Sequence, residues 1–150
     1  MHTIRRPRTP VFTRRKVSPM HRTLQPAGWA RPKGYANGIA TTGTETIYTG
    51  GLIGWNADCE FTSTDFVDQV RTTLENIVAV LGEADAGPEH LVRMTWYITD
   101  KKAYQDNLKG IGEAYRDIIG RNFPAMAVVE VAALMEDEAM VEIEATAVIP

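Results

Sequence analysis

The residues best suited to chemistry are carboxylates close to the end of the chain. Glu142 and Glu144 alternate with Val141, Ile143 and Ala145. Because side chains alternate along a strand, this pattern predicts one apolar face and one face that carries both glutamates. A solvated outer face would account for the two carboxylates. The alternative is that one glutamate, for which we take Glu142, lines a cleft as a general acid or base.

The elements around these carboxylates are two apolar, β-branched runs at residues 123–134 and 139–149, separated by an acidic loop at residues 135–138. Two such runs joined by a short polar loop are typical of a β-hairpin. The hairpin register would decide whether Met126 and Glu142 meet in one cleft, because a shift of one residue turns every side chain to the other face.

The sequence of the rest of the body predicts five further elements. Strands are expected at residues 35–41 and 46–53, a helix with one apolar stripe at 66–81, a strand at 91–99 and a second helix at 103–119. The order is therefore ββαβαββ, an α/β (α+β) fold with both helices on one face of a mixed sheet. We expect the other face to carry Ala, Val and Met and to require a partner, most simply further copies of the chain.

A glycine pair, Gly50-Gly51, falls within the second predicted strand. Glycine weakens a strand, so the pair indicates either a strand end or a close approach of the backbone to another group. In the second case the free backbone groups would face a ligand.

Composition and charge divide the chain at about residue 34. Residues 1–34 hold nine of the sixteen Lys and Arg and no acidic residue, whereas residues 35–150 hold seven basic and nineteen acidic residues, a net charge of −12. The basic, Pro-rich arm is typical of a disordered or surface-bound segment, or of an artefactual start upstream of Met20. The alternatives are a transit peptide and an arm that docks on the acidic body or on nucleic acid. We predict two parts, an arm at 1–34 and a single domain at 35–150.

Several classes of protein are disfavoured by the sequence. No apolar run reaches 18 residues, so no membrane span is expected. The single cysteine, Cys59, suits a reducing cytoplasm. His2, His21 and His90 lack the spacing of metal ligands, so we expect no metal and no other cofactor.

The C-terminal motifs Phe123-Pro124-Ala125-x-x-x-Val129-Glu130-Val131-Ala132-x-Leu134 and Val141-Glu142-Ile143-Glu144-Ala145-x-Ala147-Val148 resemble the signature of the Rid family, also called YjgF or endoribonuclease L-PSP. The resemblance extends more weakly from Tyr35 to Pro150. It implies a chorismate-mutase-like fold, a homotrimer and ligand clefts between neighbouring subunits. Typical members hydrolyse reactive imines or enamines to a carbonyl compound and ammonia.

The resemblance also assigns roles to individual residues. It implies that Glu142 places the attacking water, and that Tyr35 and Gly51 line the cleft. The family's usual substrate-binding arginine is replaced by Met126, and a frequent cysteine by Val128.

The cleft of this chain should differ from the family's usual cleft. Leu52 occupies a position where the family commonly has a polar residue, and a thioether at Met126 offers none of the hydrogen-bond donors of a guanidinium. We therefore expect a cleft that rejects a small 2-imino acid and accepts a larger or less charged molecule. Trp96 is a candidate stacking wall, although an aromatic residue on a central strand also suits the core.

Three functions follow. The first is a Rid-like hydrolase or deaminase acting on an imine or enamine, with an aminomuconate-type intermediate as one substrate class. The second is a trimer that binds a small metabolite without turnover. The third, binding or cleavage of RNA, is disfavoured because a body of charge −12 repels phosphates and would leave binding to the arm alone.

Overall fold

The computed structural model describes residues 20–150, and the predictions for residues 1–19 lie outside this range. A short 3-10 turn at Pro88–His90 precedes the fifth strand. The strands and helices are β1 (His21–Thr23), β2 (Ile39–Thr41), β3 (Glu45–Tyr48), β4 (Leu52–Ile53), α1 (Phe66–Gly82), β5 (Leu91–Ile98), α2 (Lys101–Asp106), α3 (Leu108–Ile118), β6 (Ala125–Glu130) and β7 (Val141–Ile149).

The main sheet is mixed and has the strand order β3-β7-β5-β6, with β4 also paired to β7. β5 and β6 run parallel, whereas β7 is antiparallel to β5, β3 and β4. The expected C-terminal hairpin is therefore wrong, because β5 lies between β6 and β7. The crossover through α2 and α3 sets β6 parallel to one edge of β5, which leaves the other edge for β7.

The first predicted strand does not join the main sheet. β2 pairs with β1 in a separate two-stranded sheet, so residues 21–23 of the basic segment are part of the folded structure. The second predicted strand is divided into β3 and β4, and both pair with β7. Between them, the Thr49 N–H donates to the Ala145 carbonyl at 2.9 Å, and the Ala145 N–H donates to Thr49 Oγ1 at 2.9 Å.

The helices follow the sequence pattern closely. Asp65 caps α1 by accepting the N–H of Asp68, and the predicted apolar stripe of α1 faces the core, with Val78 only partly buried. The second predicted helix is divided into α2 and α3 at Asn107, whose backbone is not helical. The Asn107 side-chain amide donates to the Ala103 carbonyl at 2.7 Å, and such side-chain bonds compete with a continuous helix.

The two faces of the sheet differ in chemistry. One face packs against α1 and α3 in a single apolar core that includes Leu74, Ile77, Trp96 and Ile143. The other face, called the open face below, carries the expected Ala and Val only on the edge strand β6, at Ala125, Ala127 and Val129, whereas Met126 lies on the helix side. On β5 and β7 it carries polar and aromatic side chains instead, which are Arg93, Thr95, Tyr97, Glu142, Glu144 and Thr146. None of the helices within residues 20–150 is long and apolar enough to cross a membrane.

Candidate functional site

A pocket of about 620 Å³ opens on the helix side of the sheet, next to the edge strand β6. Its walls come from the segment before β2, from α2 and α3, and from β5 and β6. The lining residues are Lys33, Gly34, Tyr35, Trp96, Tyr104, Leu108, Ile111, Gly112, Tyr115, Arg116, Gly120, Arg121, Phe123, Met126 and Val128. We call this space the helix-side pocket.

Four of the predicted site residues meet in the helix-side pocket: Tyr35, Trp96, Met126 and Val128. The parallel register pairs Trp96 with Val128, so these side chains share one face of the sheet. Tyr35 reaches the same place because its neighbour Ala36 donates its N–H to the Pro124 carbonyl at 3.0 Å, just before β6 begins.

Aromatic rings form much of the pocket wall. Trp96 packs edge-on against Tyr104, with 6.4 Å between ring centroids, and Tyr115 stacks on Phe123 at 6.0 Å. The Tyr115 hydroxyl donates to the Asn122 carbonyl at 2.5 Å, and burial raises the pKa of Tyr115 far above its usual value, so the phenol stays neutral. The buried indole N–H of Trp96 has no acceptor within the described residues.

Glu142 and Gly51 form a second group, on β7 and just before β4. The carboxylate of Glu142 occupies the space beside Gly51 where any other residue would place its side chain. A Cβ on Gly51 would lie 2.8 Å from Cδ of Glu142 and would overlap Oε1. Gly51, unlike Gly50, is thus a position of close approach, and Glu142 is half-buried beside it. Leu52 pairs with Ile143 and packs partly buried against the core.

Within one chain, the two groups lie on opposite faces of the sheet. Trp96 pairs with Ile143 on the helix side, whereas Tyr97 pairs with Glu142 on the open face. Met126 and Glu142 therefore do not meet in one chain, because β5 separates their strands and their side chains point to opposite sides. Any cleft that uses both must be completed by a second copy.

The open face has its own shallow pocket of about 210 Å³, lined by Tyr48, Thr49, Arg93, Thr95, Glu144, Ala145 and Thr146. The Tyr97 hydroxyl bonds Glu144 Oε1 at 2.9 Å, and this hydrogen bond is the main reason that the pKa of Tyr97 is raised. Within residues 20–150, no three His, Cys, Asp or Glu side chains are placed to hold a metal ion.

The sequence analysis missed the charged rim of the helix-side pocket, which is formed by Lys33, Arg116 and Arg121. One signal was available. Leu108, Ile111 and Tyr115 are spaced by three and four residues, so they form one stripe of a helix, and Arg116 directly follows this stripe in the sequence. The apolar members were assigned to the core, and nothing in the sequence showed that the stripe borders an open space.

Two solved structures share the fold of this chain. The fold is shared with a Rid-family protein of unknown function, YyfB from Yersinia pestis, at a TM-score of 0.77 and 27% identity, over 87% of this chain and 99% of the other. E. coli TdcF, solved with bound serine, matches at a TM-score of 0.61 and 27% identity, over 86% of this chain and 99% of that protein.

The family itself follows from the sequence. The model of the Endoribonuclease L-PSP family matches residues 29–149, so the chain belongs to this family, in which the Rid, YjgF and RutC proteins are grouped. A curated relative, the RutC family protein UK114 from Drosophila melanogaster, is 30% identical over 109 residues, which are 72% of this chain and 75% of the relative.

Proposed function

We propose that this protein is a Rid-like hydrolase that converts a reactive imine or enamine to a carbonyl compound and releases ammonia. Glu142 acts as the general acid and base in this proposal. An enamine first tautomerises to its imine. The Glu142 carboxylate takes a proton from water as the water oxygen attacks the C=N carbon, and passes that proton to the nitrogen. It then takes the hydroxyl proton of the resulting carbinolamine and gives it to the nitrogen, so that the C=O bond forms as the C–N bond breaks and ammonia leaves. The reaction consumes one water molecule and requires no oxidant or reductant.

The close approach of Glu142 to Gly51 is the observation that supports this role. The missing side chain at Gly51 leaves the space that the half-buried Glu142 carboxylate occupies, and a general base must lie within reach of the proton it removes. Glu144, two residues further along the same face, is exposed and bonded to Tyr97. It therefore serves as the matched comparison for Glu142.

The proposed cleft lies between two copies of the chain in a homotrimer. The helix-side pocket of one copy would supply Tyr35, Trp96, Met126 and Val128, and the open face of its neighbour would supply Glu142 with Gly51. The opposite placement of the two groups in a single chain supports this arrangement. So does the family resemblance, which implies clefts between subunits.

Imine hydrolysis tests the proposal directly. An amino-acid oxidase would generate imines from a panel of amino acids, and carbonyl release would be followed with wild type, Glu142→Gln and Glu144→Gln. We expect Glu142→Gln to lower the rate by about a hundredfold or more, the usual contribution of a general base, and Glu144→Gln to change it little. Equal activity of the two variants would contradict the role of Glu142.

Met126→Arg addresses the substrate. An arginine at this position would restore a charge-assisted contact to a carboxylate beside the reacting carbon, worth about tenfold or more in affinity. If only this variant hydrolyses small 2-imino acids, the natural substrate lacks the usual carboxylate contact. If the wild type already hydrolyses small 2-imino acids, this chain does not need an arginine at position 126 for that reaction.

A non-catalytic metabolite-binding trimer is the second candidate, and the apolar wall formed by Met126 and Val128 favours it. Binding of an imine-derived compound without turnover, in wild type and Met126→Arg alike, would support this candidate over the hydrolase. An aminomuconate-type compound belongs in the same panel as a larger substrate.

A further inference from the structure

The helix-side pocket has three basic residues on its rim and no acidic residue in its lining. Lys33, Arg116 and Arg121 are exposed at the rim, while the remaining lining residues are aromatic, aliphatic or glycine. The pocket therefore departs from the charge of the body, which is −12 over residues 35–150. A basic rim around an apolar interior has the chemistry of a site for an anion with an apolar body.

The charges at the rim are not neutralised by the protein. Within residues 20–150, none of the three cations lies within 4.0 Å of a carboxylate, whereas Arg71 does pair with Asp117 on the neighbouring helices. Residues 1–19 contain no Asp or Glu, so that segment offers no side-chain carboxylate. The negative end of the α3 dipole explains why a cation is favourable at Arg116, in the last turn of the helix. It does not explain the cations at Lys33 and Arg121.

The pocket is also polarised along its length. Arg116 lies in the last turn of α3, Arg121 follows the helix, and Lys33 lies close to the bridge between Ala36 and the start of β6. Leu108 and Tyr104 line the opposite end of the same wall. The eight residue steps from Leu108 to Arg116 span about 12 Å of helix, so the basic and apolar ends are well separated.

We infer that the helix-side pocket binds an elongated ligand with an aromatic or aliphatic body and one anionic group at its far end, bound by Arg116, Arg121 and Lys33. The apolar body lies along Trp96 and Val128, next to Met126. This ligand class rests on the proposed cleft, but not on its turnover. The anion contact lies at the rim of the pocket. It therefore differs in position from the contact that an arginine at position 126 would make.

The probe is 4-phenylbutyrate, with the neutral 4-phenylbutyramide as its matched partner, titrated calorimetrically into the full-length protein. The acid should bind more tightly than the amide, and its Kd should rise with salt because the contact is exposed. Arg116→Gln and Arg121→Gln should each raise the Kd of the acid by about threefold to fivefold, as expected for an exposed ion pair, and leave the amide unchanged.

Lys109→Gln is the matched control, since Lys109 is exposed on α3 and does not line the pocket. It removes the same charge and should leave both Kd values unchanged. Equal binding of acid and amide, absence of binding by both, or an equal effect of Lys109→Gln would overturn the inference. Loss of the native oligomer mass in Arg116→Gln/Arg121→Gln would also overturn it, because the rim would then contact a neighbouring subunit.

Glu142→Gln separates this inference from the proposed hydrolase activity. This variant should still bind 4-phenylbutyrate more tightly than 4-phenylbutyramide while losing imine hydrolysis. Discrimination between acid and amide in a protein that hydrolyses no imine would contradict the hydrolase alone. Imine hydrolysis in a protein that does not discriminate between acid and amide would contradict the ligand class alone.

Discussion

At the scale of the residue, the position of one carboxylate depends on one glycine. Gly50 and Gly51 are adjacent in sequence and look equivalent there, yet their surroundings differ. An added Cβ at Gly50 meets nothing within 4 Å, whereas one at Gly51 meets the Glu142 carboxylate. The glycine pair therefore offers its own internal control for the role of Glu142.

We predict that Gly51→Ala displaces the Glu142 carboxylate and lowers imine hydrolysis by about tenfold or more, within the range of a positioned general base. The fold should remain intact, because the overlapping atoms belong to the flexible end of a side chain. Activity and thermal unfolding would be measured on the same samples. Gly50→Ala should retain activity, and an equal loss in both variants would point to a general effect on the β3–β4 connection.

At the scale of the element, Gln69 joins α1 to the segment that leads into β7. Its buried side chain donates to the Ser63 carbonyl at 3.1 Å and to the Glu138 carbonyl at 2.9 Å, and accepts the Met140 N–H at 2.8 Å. These bonds hold Met140, which immediately precedes β7 and lies two residues before Glu142. A glutamine on a buried helix face thus contributes to the geometry of the candidate site.

We predict that Gln69→Leu lowers the free energy of unfolding by about 2–4 kcal/mol, because it leaves buried backbone groups without partners. Urea unfolding followed by circular dichroism would measure the change. Gln105→Leu, at an exposed position of α2, is the matched control and should have little effect. A similar loss in both variants would show that the three bonds of Gln69 are not responsible.

At the scale of the whole molecule, the open face presents polar groups on β5 and β7 beside the apolar Ala127 and Val129 of β6. Tyr97, Glu144 and Thr146 are only partly covered in a single chain, and the proposed trimer would cover them. Association would then depend on matched hydrogen bonds and charges, because unpaired polar groups are costly to bury.

We predict a sedimentation mass of about three chains of 16.6 kDa for the wild type, as expected for a closed ring of copies. Thr146→Glu adds a third carboxylate to the face that carries Glu142 and Glu144, so it should shift the protein toward monomers. Thr62→Glu, at an exposed loop position before α1, should leave the mass unchanged. An unchanged mass for Thr146→Glu would indicate that this face is not the interface.

The charge of the whole molecule predicts weak binding to RNA. Residues 35–150 carry a net charge of −12, so phosphate contacts would rest mainly on the basic N-terminal segment. Deleting residues 1–19 should therefore abolish any RNA binding, measured by fluorescence anisotropy at fixed salt. If the truncated protein retained its affinity for RNA, the contact would lie on residues 20–150. That result would support RNA binding or cleavage as the function.

The sequence by itself determined the family, the stripe of α1, the central place of β5 and the alternation of β7, because these depend on local periodicity and on motifs of adjacent residues. It also indicated the close approach at Gly50-Gly51. Only the tertiary structure placed β5 between β6 and β7, divided the candidate residues between two faces of the sheet, and brought Lys33, Arg116 and Arg121 to one rim. Strand neighbours and shared pockets depend on contacts between distant residues, which local patterns do not encode.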